Sequence, residues 1–189
     1  MPVLQMEPYV WPETIFSEDA EPGSQDASSC WWALHTRPRA EKAIARRLLS
    51  QNVPFFLPLY DRKRQQQRKT VTSYLPLFPS YVFIRGTRTE RLKALETNLV
   101  VNCLTVPEYD QQQLWVDLQR FYDLMKTGAS MYPEERMHLG TSVRITSGPL
   151  KNYCGKISRR RNKLNLFVEL NFLQRSASVE IHESMIEPV

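Results

Sequence analysis

A chain of 189 residues, 42% hydrophobic and 24% charged, has room for one or two small domains and the make-up of an ordinary globular protein. Its charge is lopsided: residues 1–29 hold six acids and no Lys or Arg, so the rest sets 25 basic groups against 14 acidic ones, a net of +11 where the whole chain carries +5. No apolar run approaches the ~18 residues of a membrane span, and no basic-then-apolar leader opens the chain. Three isolated cysteines, Cys30, Cys103 and Cys154, include no CxxC pair, which argues against a disulfide framework and a zinc site and fits a reducing cytoplasm. A basic body points to a polyanionic neighbour, although many soluble domains are basic.

In chain order, residues 1–29 combine Pro2, Pro8, Pro12 and Pro22 with acids and serine and have no apolar period. That is the pattern of a disordered acidic tail, in which only Trp11 and Phe16 have reason to dock. Trp31 to Thr36 reads as a strand. Thr36 or Arg37 can cap the helix that follows, with Pro38 in its first turn. That helix, "RAEKAIARRLLSQN", is rich in helix formers, places Ala40, Ile44, Leu48 and Gln51 on one stripe, and closes at Asn52. "VPFFLPLY" is a short, proline-interrupted strand near an edge. "DRKRQQQRKTVTS" is a basic excursion, either a hairpin or a mobile loop. "SYVFIR" and "LVVNCLTV" are strands separated by the short helix "TRTERLKALE". In "PEYDQQQLWVDLQRFYDLMK", Leu114, Leu118, Phe121 and Met125 recur at helical spacing, with acids in the first turn. The fold class over residues 30–126 is therefore α+β, a mainly antiparallel sheet with helices packed on it.

Residues 127–140 are polar and turn-rich and read as a linker. Over residues 141–189 the pattern changes to five short strands, "SVRIT", "CGKIS", "LNLFVEL", "ASVEI" and "SMIEP", which imply a small β-barrel. Leu164, Leu166, Val168 and Leu170 alternate with Asn165, Phe167 and Glu169.

The barrel opens with "VRITSGPLKNYCGKI". This reads as a strand, a tight turn at Ser147-Gly148-Pro149, and a second strand entered at Gly155, where a side chain would obstruct the corner. A phosphate-loop reading of Gly148 to Lys156 fails, because six residues separate the glycines instead of four, Ile157 replaces Ser or Thr, and a strand follows where a helix is needed. No catalytic set emerges. His35, His138 and His182 are far apart, without metal-ligand spacing, and there is no nucleophile elbow. The chain reads as a non-enzyme without metal or cofactor.

One stretch, "LPLFPSYVFI" at residues 75–84, has large apolar residues on both parities, Tyr81 and Phe83 against Val82 and Ile84. Read by itself it places Phe83 in the core or on an interface, with the core favoured. Together with "WWALHTRPRAEKAIARRL" it resembles the NGN domain of the NusG family of transcription elongation factors. "VRITSGPLKNYCGKI" resembles the KOW motif that follows that domain in the same family. The resemblance covers about residues 30–189 and is nearest to specialised paralogues of the RfaH, LoaP and UpxY type. Ser80 stands where the family often has Gly, and Asn152 where the KOW turn usually has Gly; Asn tolerates a left-handed backbone. The stretch from Asn102 to Tyr109 is shorter than in housekeeping members.

The resemblance implies a bacterial elongation and antitermination factor, monomeric and cytoplasmic, with an SH3-like KOW barrel. Its NGN domain would grip the clamp helices of the RNA polymerase β′ subunit through Phe78, Pro79, Tyr81 and Phe83, aromatics that bury much area for little lost entropy. Arg37, Arg39, Lys42 and His35 would meet the non-template DNA strand or nascent RNA, Arg through phosphate and His35 by stacking; a solvated helix face and a half-buried strand end are the plain alternatives. Arg62, Lys63, Arg64, Arg68 and Lys69 either add phosphate contacts or solubilise a loop. Thr87, Arg88 and Thr89 occupy the region that touches the polymerase β subunit in relatives. Phe172 and Leu173 match the loop through which KOW domains meet a ribosomal small-subunit protein or the termination factor Rho, or else anchor the local core. The alternatives are a housekeeping NusG-type factor linked to Rho or the ribosome, and a ribosome- or RNA-binding KOW protein.

Overall fold

The computed structural model describes residues 7–17, 29–66, 69–134, 140–148, 150–160 and 163–188. Arg68, Pro149, His138 and most of the acidic tail lie outside these. Contacts divide the chain into two compact units, Met1–Trp115 and Val116–Val189. The α+β class and the mainly antiparallel sheets are those expected from the sequence.

The first unit is built on a five-stranded sheet of order β1-β3-β6-β2-β7, in which the strands are Val10–Trp11 (β1), Cys30–Thr36 (β2), Phe55–Phe56 (β3), Tyr81–Gly86 (β6) and Val100–Thr105 (β7). Strands Leu59–Gln66 (β4) and Lys69–Pro76 (β5) form a separate two-stranded ribbon, which resolves the basic excursion as a hairpin. Helices Glu41–Ser50 (α1) and Arg88–Glu96 (α2) flank the sheet. Register sorts the sheet residues onto two faces, since paired residues in an antiparallel ladder point the same way. Tyr81, Phe83, His35 and Ala33 share one face; Val82, Ile84, Leu34 and Trp32 share the other. On the latter face the Arg91 guanidinium of α2 lies 5.2 Å above the Trp32 ring, and burial pushes the Cys103 thiol up despite the neighbouring Arg91.

Residues 7–17 correct the expectation of a disordered tail. Val10 and Trp11 pair with Phe56 and Phe55, and a 3₁₀ turn at Glu13–Phe16 buries Ile15 and Phe16. The Phe16 ring stacks on Trp31 and meets Phe56 edge-on, with centroids 5.6 and 5.1 Å apart. Three aromatic side chains thus leave water together, which offsets the cost of ordering the strap. Glu7 adds an ion pair to Arg46 at 2.7 Å.

Helix α1 begins at Glu41 with Ala40 as its N-cap, later than the expected Thr36 or Arg37 cap, because Pro38 and Arg39 form a turn and Arg39 is left-handed at φ 63°. Its C-terminus ends as expected at Asn52, left-handed at φ 53°, with the Val53 amide donating back to Leu48 O. Helix α2 is capped by Thr87. The Thr87 hydroxyl accepts from Thr89 N, while Thr87 N–H and O–H donate to Glu90 Oε2 at 2.8 and 2.6 Å. These bonds hold the Glu90 carboxyl below the usual carboxylate range. The bonds to Thr87 therefore contribute fully above that range, and the contribution fades as pH falls through the lowered value. Thr87→Ala is expected to cost about 1 kcal/mol at neutral pH and less in acid. Thermal melts of the two proteins at neutral and acidic pH check this; an equal loss at both would remove the carboxylate from the account.

The second unit begins within helix Glu108–Lys126 (α3). Its sheet has six antiparallel strands in the order β13-β9-β10-β11-β12-β8. They are Met131–Glu134 (β8), Thr141–Ile145 (β9), Cys154–Arg160 (β10), Lys163–Leu170 (β11), Arg175–Ile181 (β12) and Ile186–Pro188 (β13). The last five are the strands read from sequence. Strand β8 lies inside the stretch read as a linker; Tyr132 and Pro133 pair with Ser178 and Ala177, so this polar segment extends the sheet. Gly148 (φ 85°) and Asn152 (φ 70°) are left-handed, as the turn chemistry requires. A Cβ at Gly155 would lie 2.8 Å from Tyr153 and 2.9 Å from Leu166, so that corner admits only glycine without a shift.

Leu166, Val168 and Leu170 are buried as the alternation predicts, but Phe167 is buried as well, at 1% exposure. The same unit holds the C-terminal half of α3. Asp117, fully buried, accepts from Asn171 N at 3.1 Å and Asn171 Nδ2 at 3.2 Å, and pairs with Arg120 at 3.2 Å. Arg120 also lies 4.5 Å over the Tyr153 ring, and burial pushes the Tyr153 hydroxyl up.

Candidate functional site

Where β2 leaves the sheet and β6 enters it, three backbone segments converge. Thr36 N donates to Ser80 O at 2.8 Å, and Arg37 N donates to Leu99 O at 2.9 Å. The turn before β6 is closed by Tyr81 N donating to Phe78 O, and it passes through Ser80 at φ 65°, a left-handed position. A buried carboxylate braces it: Glu41 Oε1, from the first turn of α1, accepts from Ser80 N at 2.7 Å. Charge-assisted bonds of this kind are about twice as strong as neutral ones, so Glu41 offsets the cost of the strained turn.

The result is a short row across three strands. Tyr81, His35 and Asn102 are in register on one face, with the His35 and Tyr81 rings 5.2 Å apart and tilted by 33°. Tyr81 and His35 are half-buried and Asn102 is exposed. An irregularity after His35 shifts the register so that Thr36 meets Val100, and Val101 is left 61% exposed. Arg37, Pro38 and Arg39 are exposed beside the row, and Lys42 is half-buried on α1. Aromatic faces flanked by exposed cations are what unpaired nucleotides need: stacking for the base and a partner for the phosphate.

The expected residues divide under this geometry. Arg37, Arg39 and His35 come together at one end of the sheet, on a loop and a strand end, not along the face of α1. Tyr81 and Pro79 share that surface. Phe83 and Phe78 do not. Phe83 is 0% exposed, central in the sheet between Phe56 and Ala33, and meets Phe78, 1% exposed, edge-on at 6.4 Å. An open ledge made of these two rings is therefore corrected: they are packing residues beneath Tyr81, because the parity that carries Phe83 is covered. Thr87 is occupied as a helix cap, whereas Arg88 and Thr89 are exposed. Phe172 and Leu173 are half-buried in a 3₁₀ turn, Asn171–Leu173, closed by left-handed Gln174. Glu41 and Asn102 escaped the sequence reading; Glu41 falls in a good helix-former run, and Asn102 joins the row only through strand register. Among the described residues no group of three or more His, Cys, Asp or Glu could hold a metal, and no helix is long and apolar enough to cross a membrane.

Residues 29–116 match the family model described as transcription termination factor nusG. Among solved structures, the chain is similar to one described as "Domain interaction in Thermotoga maritima NusG", with 19% identity and a TM-score of 0.51, over 86% of this chain and 98% of that one. At that identity the likeness establishes the fold. A chain of the MjSpt4:Spt5 complex, conformation B, is 16% identical over 84% of this chain and 96% of its own, with a TM-score of 0.26 that carries no argument. No curated protein matches.

Proposed function

We propose, from the match of residues 29–116 to the family model described as transcription termination factor nusG, that the chain is a NusG-family transcription factor that promotes elongation and antitermination by binding RNA polymerase. The observation that carries this reading is the row Tyr81–His35–Asn102 with Arg37 and Arg39 beside it, an aromatic platform at the end of a sheet next to exposed cations. Tyr81 and Pro79 are assigned to the clamp helices of the β′ subunit. Arg37, Arg39, Lys42 and His35 are assigned to the exposed non-template strand or to nascent RNA, and Arg88 and Thr89 to a second contact on the β subunit. The activity is binding and not catalysis: a protein that favours the pause-resistant state of the enzyme over the paused one shifts the balance between them by that difference in affinity. The second unit, read as the KOW barrel, recruits a further partner through the turn bearing Phe172 and Leu173. A ribosomal small-subunit protein or Rho has the matching role in relatives.

The test is a pull-down of the tagged chain from cell extract, with sequencing of the nucleic acid retained. The expected outcome is co-purification of core polymerase, enriched on a limited set of transcribed regions, and shorter pauses when the purified chain is added to an elongation assay. Tight retention of ribosomal RNA without polymerase would replace this reading with a ribosome-associated one. The matching family model bears a termination factor's description, which favours a second reading as a housekeeping factor coupled to Rho. Polymerase occupancy on nearly all genes, with direct Rho binding, would select it.

A further inference from the structure

We propose that the β4–β5 ribbon is a second nucleic-acid contact, one that enters the major groove of B-form duplex DNA. It goes beyond the single-strand site above and does not depend on polymerase binding. Residues 59–76 carry Arg62, Lys63, Arg64, Arg68 and Lys69 against one acid, Asp61. That acid pairs only loosely with Lys63, at 3.7 Å. The ribbon is anchored at its base, where Leu59 is buried at 2% exposure and Leu77 N donates to Pro58 O at 2.8 Å. Beyond Asp61, Arg62, Lys63, Gln65 and Thr70 are exposed and Val71 is 39% exposed, while Thr72 and Ser73 are half-buried. Neither strand pairs with another sheet among the described residues.

Shape decides the ligand. Register sets Arg62 opposite Ser73 on one face, and Lys63 opposite Thr72 and Gln65 opposite Thr70 on the other. Cations on both faces suit a ribbon flanked by two walls of phosphate better than one lying on a flat surface. From Asp61 to Gln66 the strand reaches about 17 Å at ~3.3 Å per residue, beyond the ~8.5 Å depth of the B-form major groove. That groove, about 12 Å wide, admits a two-stranded ribbon, whereas the A-form RNA groove is too narrow. Gln65 and Thr70, paired near the free end, are of the types that bond to base edges. Among the described residues of the ribbon, Val71 is the one exposed large hydrophobic, too little for a membrane or an apolar protein groove.

Fluorescence anisotropy of the full chain with a labelled 24-base-pair DNA duplex, across a salt series from 50 mM, tests this. The control ligands are the single strand and an RNA duplex of the same length. The expected result is preference for duplex DNA over the RNA duplex. The triple variant Arg62→Gln, Lys63→Gln, Arg64→Gln should lose at least tenfold in affinity for it, and the slope of log K against log salt should fall by about 2 to 3. Arg37→Gln with Arg39→Gln should leave duplex binding intact and weaken the single strand, so failure at one site is distinguishable from failure at the other. Far-UV circular dichroism confirms that each variant is folded, and the exposed Lys63→Gln alone serves if the triple variant is not. The proposal is overturned if wild type does not bind the duplex at 50 mM salt. It is equally overturned if the folded variant binds the duplex like wild type, or if the RNA duplex binds as tightly as DNA.

Discussion

Asp117→Ala is expected to destabilise the second unit by about 3 kcal/mol. The carboxylate is completely buried and accepts from Asn171 N and Asn171 Nδ2 while pairing with Arg120. Alanine removes a fully buried acceptor from the half-buried Asn171 amides, and the penalty is the loss of those charge-assisted bonds. It also frees Arg120, the guanidinium that lies over Tyr153. The expected fall in Tm of that unit is roughly 12 to 24 °C, read by circular dichroism. Asn171→Ala should cost less, because Arg120 still pairs with the carboxylate. In the double variant the two losses should add to clearly less than their sum, the mark of direct coupling. Additive losses, or an Asp117→Ala melt within a degree or two of wild type, would mean that this carboxylate does not tie α3 to the turn at Asn171.

The second large effect separates two rings that sequence alone treats as one surface. Phe83→Ala removes a fully buried ring from the middle of the sheet and should cost about 3 to 5 kcal/mol, lowering Tm and with it every activity in proportion to unfolding. Tyr81→Ala removes a half-exposed ring at the sheet end and should leave Tm within a few degrees, yet weaken polymerase binding at least thirtyfold, the range of an interface hot spot. Titration of labelled core polymerase with each variant, beside its melt, reads both. A folded Tyr81→Ala protein that binds like wild type removes this end of the sheet from the interface. A Phe83→Ala protein as stable as wild type contradicts the packing described for Phe56, Phe78 and Ala33.

The burial of Phe83 also bears on how the stretch "LPLFPSYVFI" works. Phe78 and Phe83 fix the turn from below, Glu41 fixes it from the side, and Tyr81 and Pro79 are what remain at the surface. Variants at Glu41 would therefore report on the site without touching a ligand.

The amino-acid sequence by itself determined the elements and their order. Alternation marked β2, β6 and β7, helical spacing marked α3, and glycine or asparagine marked the turns at Gly148, Asn152 and Asn52, because these signals are local and act within a few residues. It also determined the charge contrast between the tail and the body, and the strings that carry the family likeness. Tertiary structure alone decided which surfaces stay open. Parity puts Tyr81 and Phe83 on one face, but only the packing above that face buries one ring and leaves the other at its edge. Asn102 reaches His35, Glu41 reaches Ser80 and Asn171 reaches Asp117 across gaps of 39 to 67 residues, and Phe16 finds Trp31 from a segment whose composition reads as disordered. Periodicity records which side of its own element a residue occupies. What covers that side depends on register and on segments distant in the chain, whose contacts form only when the whole unit has folded.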